Sequence, residues 1–192
     1  MPPLILASSS PYRRALLERL GLSFSCHSPD IDETPLPDET GEAMALRLAQ
    51  QKAAAVAASC QAGLVIGSDQ VCVNGGRLLG KPGTVENARR QLLAASGKTV
   101  TFYTGLCVHD ITTGRSVSLV EPFRVHFRPL TAAQIDNYLE KEPALDCAGA
   151  FKCEGLGISL FTRMEGRDPN SLVGLPLIAL VDLLAEFGVE VP

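Results

Sequence analysis

The stretch Leu64-Val65-Ile66-Gly67-Ser68-Asp69-Gln70-Val71 constrains this chain most, because an apolar, strand-like run leads directly into a carboxylate where a ligand could reach it. A second apolar run, Leu4-Ile5-Leu6-Ala7, reads as a short buried strand. Ser10 as N-cap and Pro11 at the first helical position then open a helix ending near Gly21. Strand, loop and helix in that order, with Ser8-Ser9-Ser10 in the loop, offer hydroxyls and unpaired backbone N–H groups at the positive end of a helix, a place that favours phosphate. Arg13 and Arg14 follow within one turn, and arginine's planar fork binds phosphate oxygens bidentately. A serine-capped surface helix with solvated arginines fits the same local pattern.

Further along, Ser23 to Ser28 predicts a second strand, and the acidic, proline-rich loop from Pro29 to Pro37 cannot be helical throughout. The alanine-rich segment Thr40 to Cys60, with Met44, Leu48 and Val56 at helical spacing, predicts a helix that carries Lys52 on its Leu48 and Val56 face. Asn74-Gly75-Gly76 after the Leu64–Val73 strand is a tight turn signal, so Arg77-Leu78-Leu79 returns as a hairpin that brings Lys81 close to Asp69. Thr84 to Ala95 is helical. Val100 to Val108 and Ser116 to Phe127 are strands joined by a Thr112-Thr113-Gly114 turn and form a central antiparallel element. Thr131-Ala132-Ala133-Gln134 is a capping box opening a helix to about Lys141, and Pro176 to Phe187 is a final amphipathic helix. The glycine-rich segment Cys147 to Gly174 lies between them with no element assigned. No repeat or linker interrupts the 192 residues, so a single domain of two lobes sharing one sheet is expected over 1–192.

Composition narrows the classes. With 46% hydrophobic and 20% charged residues and no apolar run approaching the roughly 20 residues of a bilayer span, the chain reads as a globular protein with no membrane partner. A net charge of −4 and a pI near 5.4 argue against a nucleic-acid-coating surface. Met1-Pro2-Pro3 lacks the basic flank of a secretory signal, and the six scattered cysteines contain no C-x-x-C pair, which points to free thiols and a cytoplasmic location. A homodimer is the expected assembly, as the commonest one.

Asp69, Asp32 and Glu33, set beside Lys52 and Lys81, suit a metal-bound polyphosphate, since Mg²⁺ takes one or two carboxylates together with substrate phosphates. Each residue alone has a plainer reading: a turn-forming aspartate, an acidic loop, a lysine stretching to water. Gly75 to Lys81 matches G-x-x-x-x-G-K, but Pro82 replaces the Ser/Thr that would coordinate magnesium, and the segment reads as a hairpin rather than a Walker A loop. No G-x-S-x-G, H-E-x-x-H or G-x-G-x-x-G signature is present. Residues alone therefore reach a nucleotide or phosphate enzyme.

Ala7-Ser8-Ser9-Ser10-Pro11-Tyr12-Arg13-Arg14, Asp32-Glu33-Thr34, Gly67-Ser68-Asp69-Gln70-Val71, Gly80-Lys81-Pro82, Gly149-Ala150-Phe151-Lys152-Cys153-Glu154-Gly155 and Asn170 to Leu177 together resemble the Maf family of nucleoside triphosphate pyrophosphatases, over essentially the whole chain. Gly-Ser-Asp-Gln-Val with Phe-Lys-Cys-Glu-Gly is similar to the YceF-type branch, which acts on 7-methyl-GTP. The resemblance implies an elongated α/β fold, a twisted mixed sheet flanked by helices in two lobes with a central cleft. It also implies a divalent metal (Mg²⁺ or Mn²⁺), and hydrolysis between the α and β phosphates that clears modified nucleotides. It puts the general base on Asp69, base specificity on Tyr12, Gln70 and Glu154, phosphate contacts on Ser10, Arg13, Arg14, Lys52 and Lys81, and metal contacts on Glu33 and Asp69. Tyr12 stands where that branch carries tryptophan, a smaller stacking surface. The same chemistry on dTTP, UTP or another nucleotide, and a nucleotide-binding regulator of septum formation, are the rival expectations.

Overall fold

The first apolar run forms β1 (Leu4–Ala7), with every residue buried, and Ser10 caps α1 (Pro11–Glu18) by accepting a hydrogen bond from the Arg13 N–H. The rest of the chain follows as β2 (Phe24–Cys26), α2 (Gly41–Ala57), β3 (Leu64–Asn74), β4 (Arg77–Leu79), α3 (Val85–Ala95), β5 (Thr99–Asp110), β6 (Ser116–Phe127), α4 (Ala132–Lys141), β7 (Phe161–Glu165), α5 (Pro169–Val173) and α6 (Leu177–Ala185), in a computed structural model that describes all of residues 1–192. Seven strands form one mixed sheet in the order β2-β1-β3-β5-β6-β7, with β4 paired to β3. β1 runs parallel to both neighbours, with Leu4 opposite Phe24 and Leu64, and Ala7 opposite Gly67. β4 returns antiparallel with Asn74 opposite Arg77, and Gly75 and Gly76 between them both have positive φ (57° and 79°), the backbone that a two-residue hairpin turn requires. The G-x-x-x-x-G-K segment is thus a hairpin. No helix is long and apolar enough to cross a membrane.

The chain divides into two compact units: residues 1–70, 104–121 and 168–192, and residues 71–103 and 122–167. In the first unit the period-2 alternation of strands sorts side chains onto two helical layers. Leu4, Leu6, Leu64, Ile66, Leu106 and Val108 pack with Leu16 and Leu17 of α1 and with Leu177, Leu180, Leu183 and Leu184 of α6. Ile5, Ala7, Val65 and Cys107 face the other way, onto Ala49, Ala53, Val56 and Ala57 of α2. Each fully buried leucine contributes about 1.5–3 kcal/mol, so both layers hold their helices firmly. The alanine-rich face of α2 allows its backbone to approach the sheet closely. In the second unit Phe102, Phe127, Phe151 and Phe161 meet edge-to-face with ring centroids 4.8–5.5 Å apart.

Side-chain N-caps fall at Ser10, Thr40, Thr84, Thr131 and Asp168, and the Thr131–Gln134 capping box is complete. The predicted elements appear with ends shifted by a few residues. The glycine-rich segment is the exception, because it contains a 3₁₀ segment (Leu156–Leu160), β7 and α5. β7 and α5 have five residues each, too short for periodicity to register, and β7 is an edge strand with Thr162, Arg163 and Met164 exposed.

Candidate active site

Asp69 is not a turn residue at a strand end, since β3 continues beyond it to Asn74. Its place in the alternation aims it at α2, on the face that carries Val65 and Gly67, while Ser68 and Gln70 face the opposite layer. Lys52, one helical turn from Leu48 and from Val56, is buried on that face of α2. Its ammonium Nζ donates to Asp69 Oδ1 at 2.6 Å and pairs with Glu33 Oε1 at 2.5 Å. Lys52 therefore does not run out to water.

Glu33 reaches this ammonium because its loop is held from both sides. Asp32 Oδ1 accepts from the Thr34 N–H (2.9 Å) and hydroxyl (2.6 Å), which turns the chain. Arg47, on α2, donates to the Thr34 carbonyl and forks onto Glu39 at 2.5 and 2.8 Å. That guanidinium holds the Glu39 carboxyl down at about 2. Asp32 is thus a loop-shaping residue, and Glu33 the acid that reaches the Lys52 ammonium from the exposed side.

Arg13 turns its guanidinium into the interior, donating Nε to the Gly174 carbonyl at 2.7 Å. The same carbonyl accepts from the buried Ser68 hydroxyl at 3.1 Å, which also reaches the Gly105 carbonyl at 2.9 Å. Burial pulls the Arg13 guanidinium below its ordinary value, and the charges of Asp69 and Glu33 oppose the shift. Burial likewise pushes the Asp69 carboxyl above the usual carboxylate range, against the pull of Lys52 and Arg13 and with a small push from Glu33. Two cations and two carboxylates are thus gathered around a buried Lys52–Asp69 pair, where electrostatic interactions are stronger than in water, with the Glu33 carboxylate on the exposed side.

Ser10's hydroxyl accepts from the Arg13 N–H at 3.4 Å, and Ser8's accepts from the Ser10 N–H at 3.0 Å, so both shape the turn into α1. Arg14 lies about 100° further round the helix, exposed and paired with Glu18 at 3.0 Å, and is not gathered with Arg13. Tyr12 is half-buried at the start of α1. Gln70 commits Nε2 to the Ser171 and Leu172 carbonyls at 2.9 and 2.8 Å, and Thr104 also bonds the Ser171 carbonyl. Lys81 and Glu154 belong to the second unit and are exposed. The Lys81 loop is held by α3, through Gln91 Nε2 to the Gly80 carbonyl and Asn87 Nδ2 to the Pro82 carbonyl.

Several residues at this site escaped the sequence reading: Ser68, Arg47, Glu39, and Asp168. Asp168 is buried at the N-cap of α5 and accepts from Asn170 N–H and from Ile178 N–H, which joins α5 to α6. The Asp168-Pro169 pair is a recognisable helix start; the pairing of Arg47 with Glu39 carries no comparable signal.

The Asp69 and Glu33 carboxylates converge on one cation, and hard oxygen donors of that kind suit Mg²⁺ or Mn²⁺. No group of three or more His, Cys, Asp or Glu side chains is placed to hold a metal by itself, so remaining ligands would come from elsewhere.

The site sets a buried lysine and a half-buried arginine beside two acids on a mixed α/β sheet. The family described as Maf-like protein matches residues 3–187, and the chain belongs to that family. Membership supports nucleoside triphosphate pyrophosphatase activity in general. Among solved structures, a nucleoside-triphosphatase described as a dITP/XTP pyrophosphatase from Mycobacterium abscessus is similar at 18% identity and a TM-score of 0.41, covering 67% of this chain and 75% of its own. The Ham1 protein of Staphylococcus aureus is similar at 15% identity and a TM-score of 0.47, covering 66% and 72%.

Proposed function

We propose that this protein hydrolyses a nucleoside triphosphate between its α and β phosphates, releases pyrophosphate, and prefers 7-methyl-GTP. The observation that carries the reading is the buried Asp69–Lys52 pair, joined by the exposed Glu33 and the half-buried Arg13. Asp69's raised pKa makes it a stronger proton acceptor than an exposed carboxylate, suited to taking a proton from the water that attacks phosphorus. Lys52 and Arg13 hold phosphate oxygens and stabilise the charge that develops on the transferring group. Glu33 and Asp69 are the residues that would hold a divalent ion, which supplies charge neutralisation at the phosphates when bound. Proton acceptance and metal holding both need Asp69 ionised.

For the base, 7-methylguanine carries a delocalised positive charge, and stacking on Tyr12 gains about 0.5–2 kcal/mol as a cation–π contact. Glu154 accepts from the guanine N1–H and 2-amino group. Gln70, with its N–H donors committed to Ser171 and Leu172, contributes by holding that segment and through its Oε1. Ser10 and Arg14 serve the phosphates more distantly than Arg13, and Lys81 is the second unit's phosphate cation.

The test is pyrophosphate release from 7-methyl-GTP, GTP, UTP, dTTP and ITP with Mg²⁺ or Mn²⁺. The expected result is a kcat/KM for 7-methyl-GTP at least about tenfold above the others, about 1.4 kcal/mol and within the range of the cation–π contact that separates it from GTP. Preference for a pyrimidine triphosphate overturns the roles of Tyr12, Gln70 and Glu154. Absence of turnover on every nucleotide overturns the enzymatic reading.

The Asp69–Lys52 pair also has a pH signature. Lys52→Met keeps the apolar stem but removes the cation that lowers the Asp69 pKa, so the carboxyl rises further and the acidic limb of kcat/KM moves up by about one pH unit or more. An acidic limb that stays in place shows that Asp69 is not the group titrating there.

A further inference from the structure

We propose that Glu142 and Tyr138 are a positioning pair that fixes the 152–157 loop and thereby sets base selectivity, a proposal resting on the reading that Glu154 contacts the base. Tyr138 and Glu142 stand four apart, so they share one face at the C-terminal end of α4, where Glu142 is the C-cap. The Tyr138 hydroxyl donates to Glu142 Oε2 at 2.8 Å and accepts from the Lys152 N–H at 3.1 Å. Glu142 in turn accepts the Leu156 N–H on Oε1 at 3.2 Å and the Gly157 N–H on Oε2 at 3.1 Å. Three backbone N–H groups on both sides of Glu154 are thus tied to two side chains of one helix.

The loop sequence is matched to this clamp. A Cβ on Gly155 would stand 2.0 Å from Glu142 Oε1, so only glycine lets the carboxylate lie across the chain there. A Cβ on Gly157 would stand 2.3 Å from the Lys152 carbonyl, which keeps the turn closed. Burial of Tyr138 raises its phenol pKa, so the hydroxyl stays a donor. Glu154 itself is exposed, and its Oε2 accepts a 3.4 Å bond from Cys153 Sγ. The backbone anchors to either side, rather than packing around the carboxylate, give Glu154 its direction.

The experiment compares kcat/KM for 7-methyl-GTP over UTP in the wild type, Glu142→Ala, Glu142→Gln, Tyr138→Phe, Glu154→Ala and the Glu142→Ala/Glu154→Ala double variant, with amide hydrogen exchange at Leu156 and Gly157. Glu142→Ala is expected to lower the ratio by about tenfold, through KM for 7-methyl-GTP more than through kcat, and to speed exchange at both amides. Glu142→Gln, which keeps one acceptor, recovers part of the ratio. The double variant falls no further than Glu154→Ala alone, because both changes remove the same interaction. If Glu154→Ala lowers the ratio and Glu142→Ala leaves it intact while exchange accelerates, the positioning proposal is overturned. If Glu154→Ala leaves the ratio intact, the reading of Glu154 fails instead, and a ratio equally unmoved by Glu142→Ala takes the positioning pair down with it. Should Glu142→Ala not fold, Tyr138→Phe removes a single oxygen and decides the same question.

Discussion

Asp69→Asn is expected to lower pyrophosphate release by roughly 10²–10⁴-fold while leaving the protein folded. The substitution keeps the shape of the side chain and one acceptor oxygen, but removes both the negative charge and the proton-accepting group. Lys52 keeps Glu33 as its partner, so the buried ammonium is not stranded. Stability gives a second readout with a definite sign. Because the fold raises the Asp69 pKa, the protonated form is the one that the folded state favours. Its contribution to stability is complete below the unfolded pKa and is lost as pH rises through the raised folded value. Asparagine cannot titrate, so the melting temperature of the variant, taken relative to wild type, should increase from acidic to neutral pH. A difference that moves the opposite way shows that the charges of Lys52 and Arg13 outweigh burial at Asp69. Retention of wild-type turnover removes Asp69 from the chemistry.

Gly67→Ala is expected to cost at least about 3 kcal/mol and to lower the melting temperature by about 6–12 °C, with activity lost in parallel. An added Cβ would stand 2.2 Å from the Ala49 carbonyl oxygen, 2.8 Å from the Ala53 nitrogen and 2.9 Å from the Ala53 Cβ. Two of these atoms belong to the α2 backbone and cannot rotate away, so the helix itself must lift. Lys52 lies between Ala49 and Ala53 in the sequence of that helix, and lifting it draws the ammonium from Asp69. A Cβ added at Gly105 on β5 would meet the same helix one turn earlier, 2.1 Å from the Ala45 carbonyl oxygen. Gly80→Ala is the control, since nothing lies within 4 Å and its φ is not positive. Equal melting temperatures for Gly67→Ala and Gly80→Ala refute this account of how α2 is seated.

How much of this was legible beforehand depends on how local each signal is. The Ser10-Pro11 start, the Thr131–Gln134 capping box and the Asn74-Gly75-Gly76 turn were readable because the residues that stabilise each one lie within four positions of one another. β7 and α5 were not, because five residues hold too few periods to distinguish from a loop. Asp69, Lys52 and Glu33 were nominated separately, each with a plain alternative, and the alternative for Lys52 was wrong. It is buried because α2 packs flat on the sheet, which depends on Gly67 and Gly105 in distant strands. Arg13 and Arg14 looked equivalent in sequence, yet a 100° step around α1 sends one to the Gly174 carbonyl and the other to Glu18.

Taken alone, the sequence determined the order and type of most elements, the family, and the list of charged residues to watch, because caps, turns and periodicity act over a few residues. The tertiary structure decided which of those charges meet, that Gln70 braces the 171–172 carbonyls, and that Glu142 rather than a loop residue holds the 152–157 segment. Those outcomes depend on atoms 14 to 161 positions apart in the chain, and only the packing of strands and helices brings them within hydrogen-bonding distance.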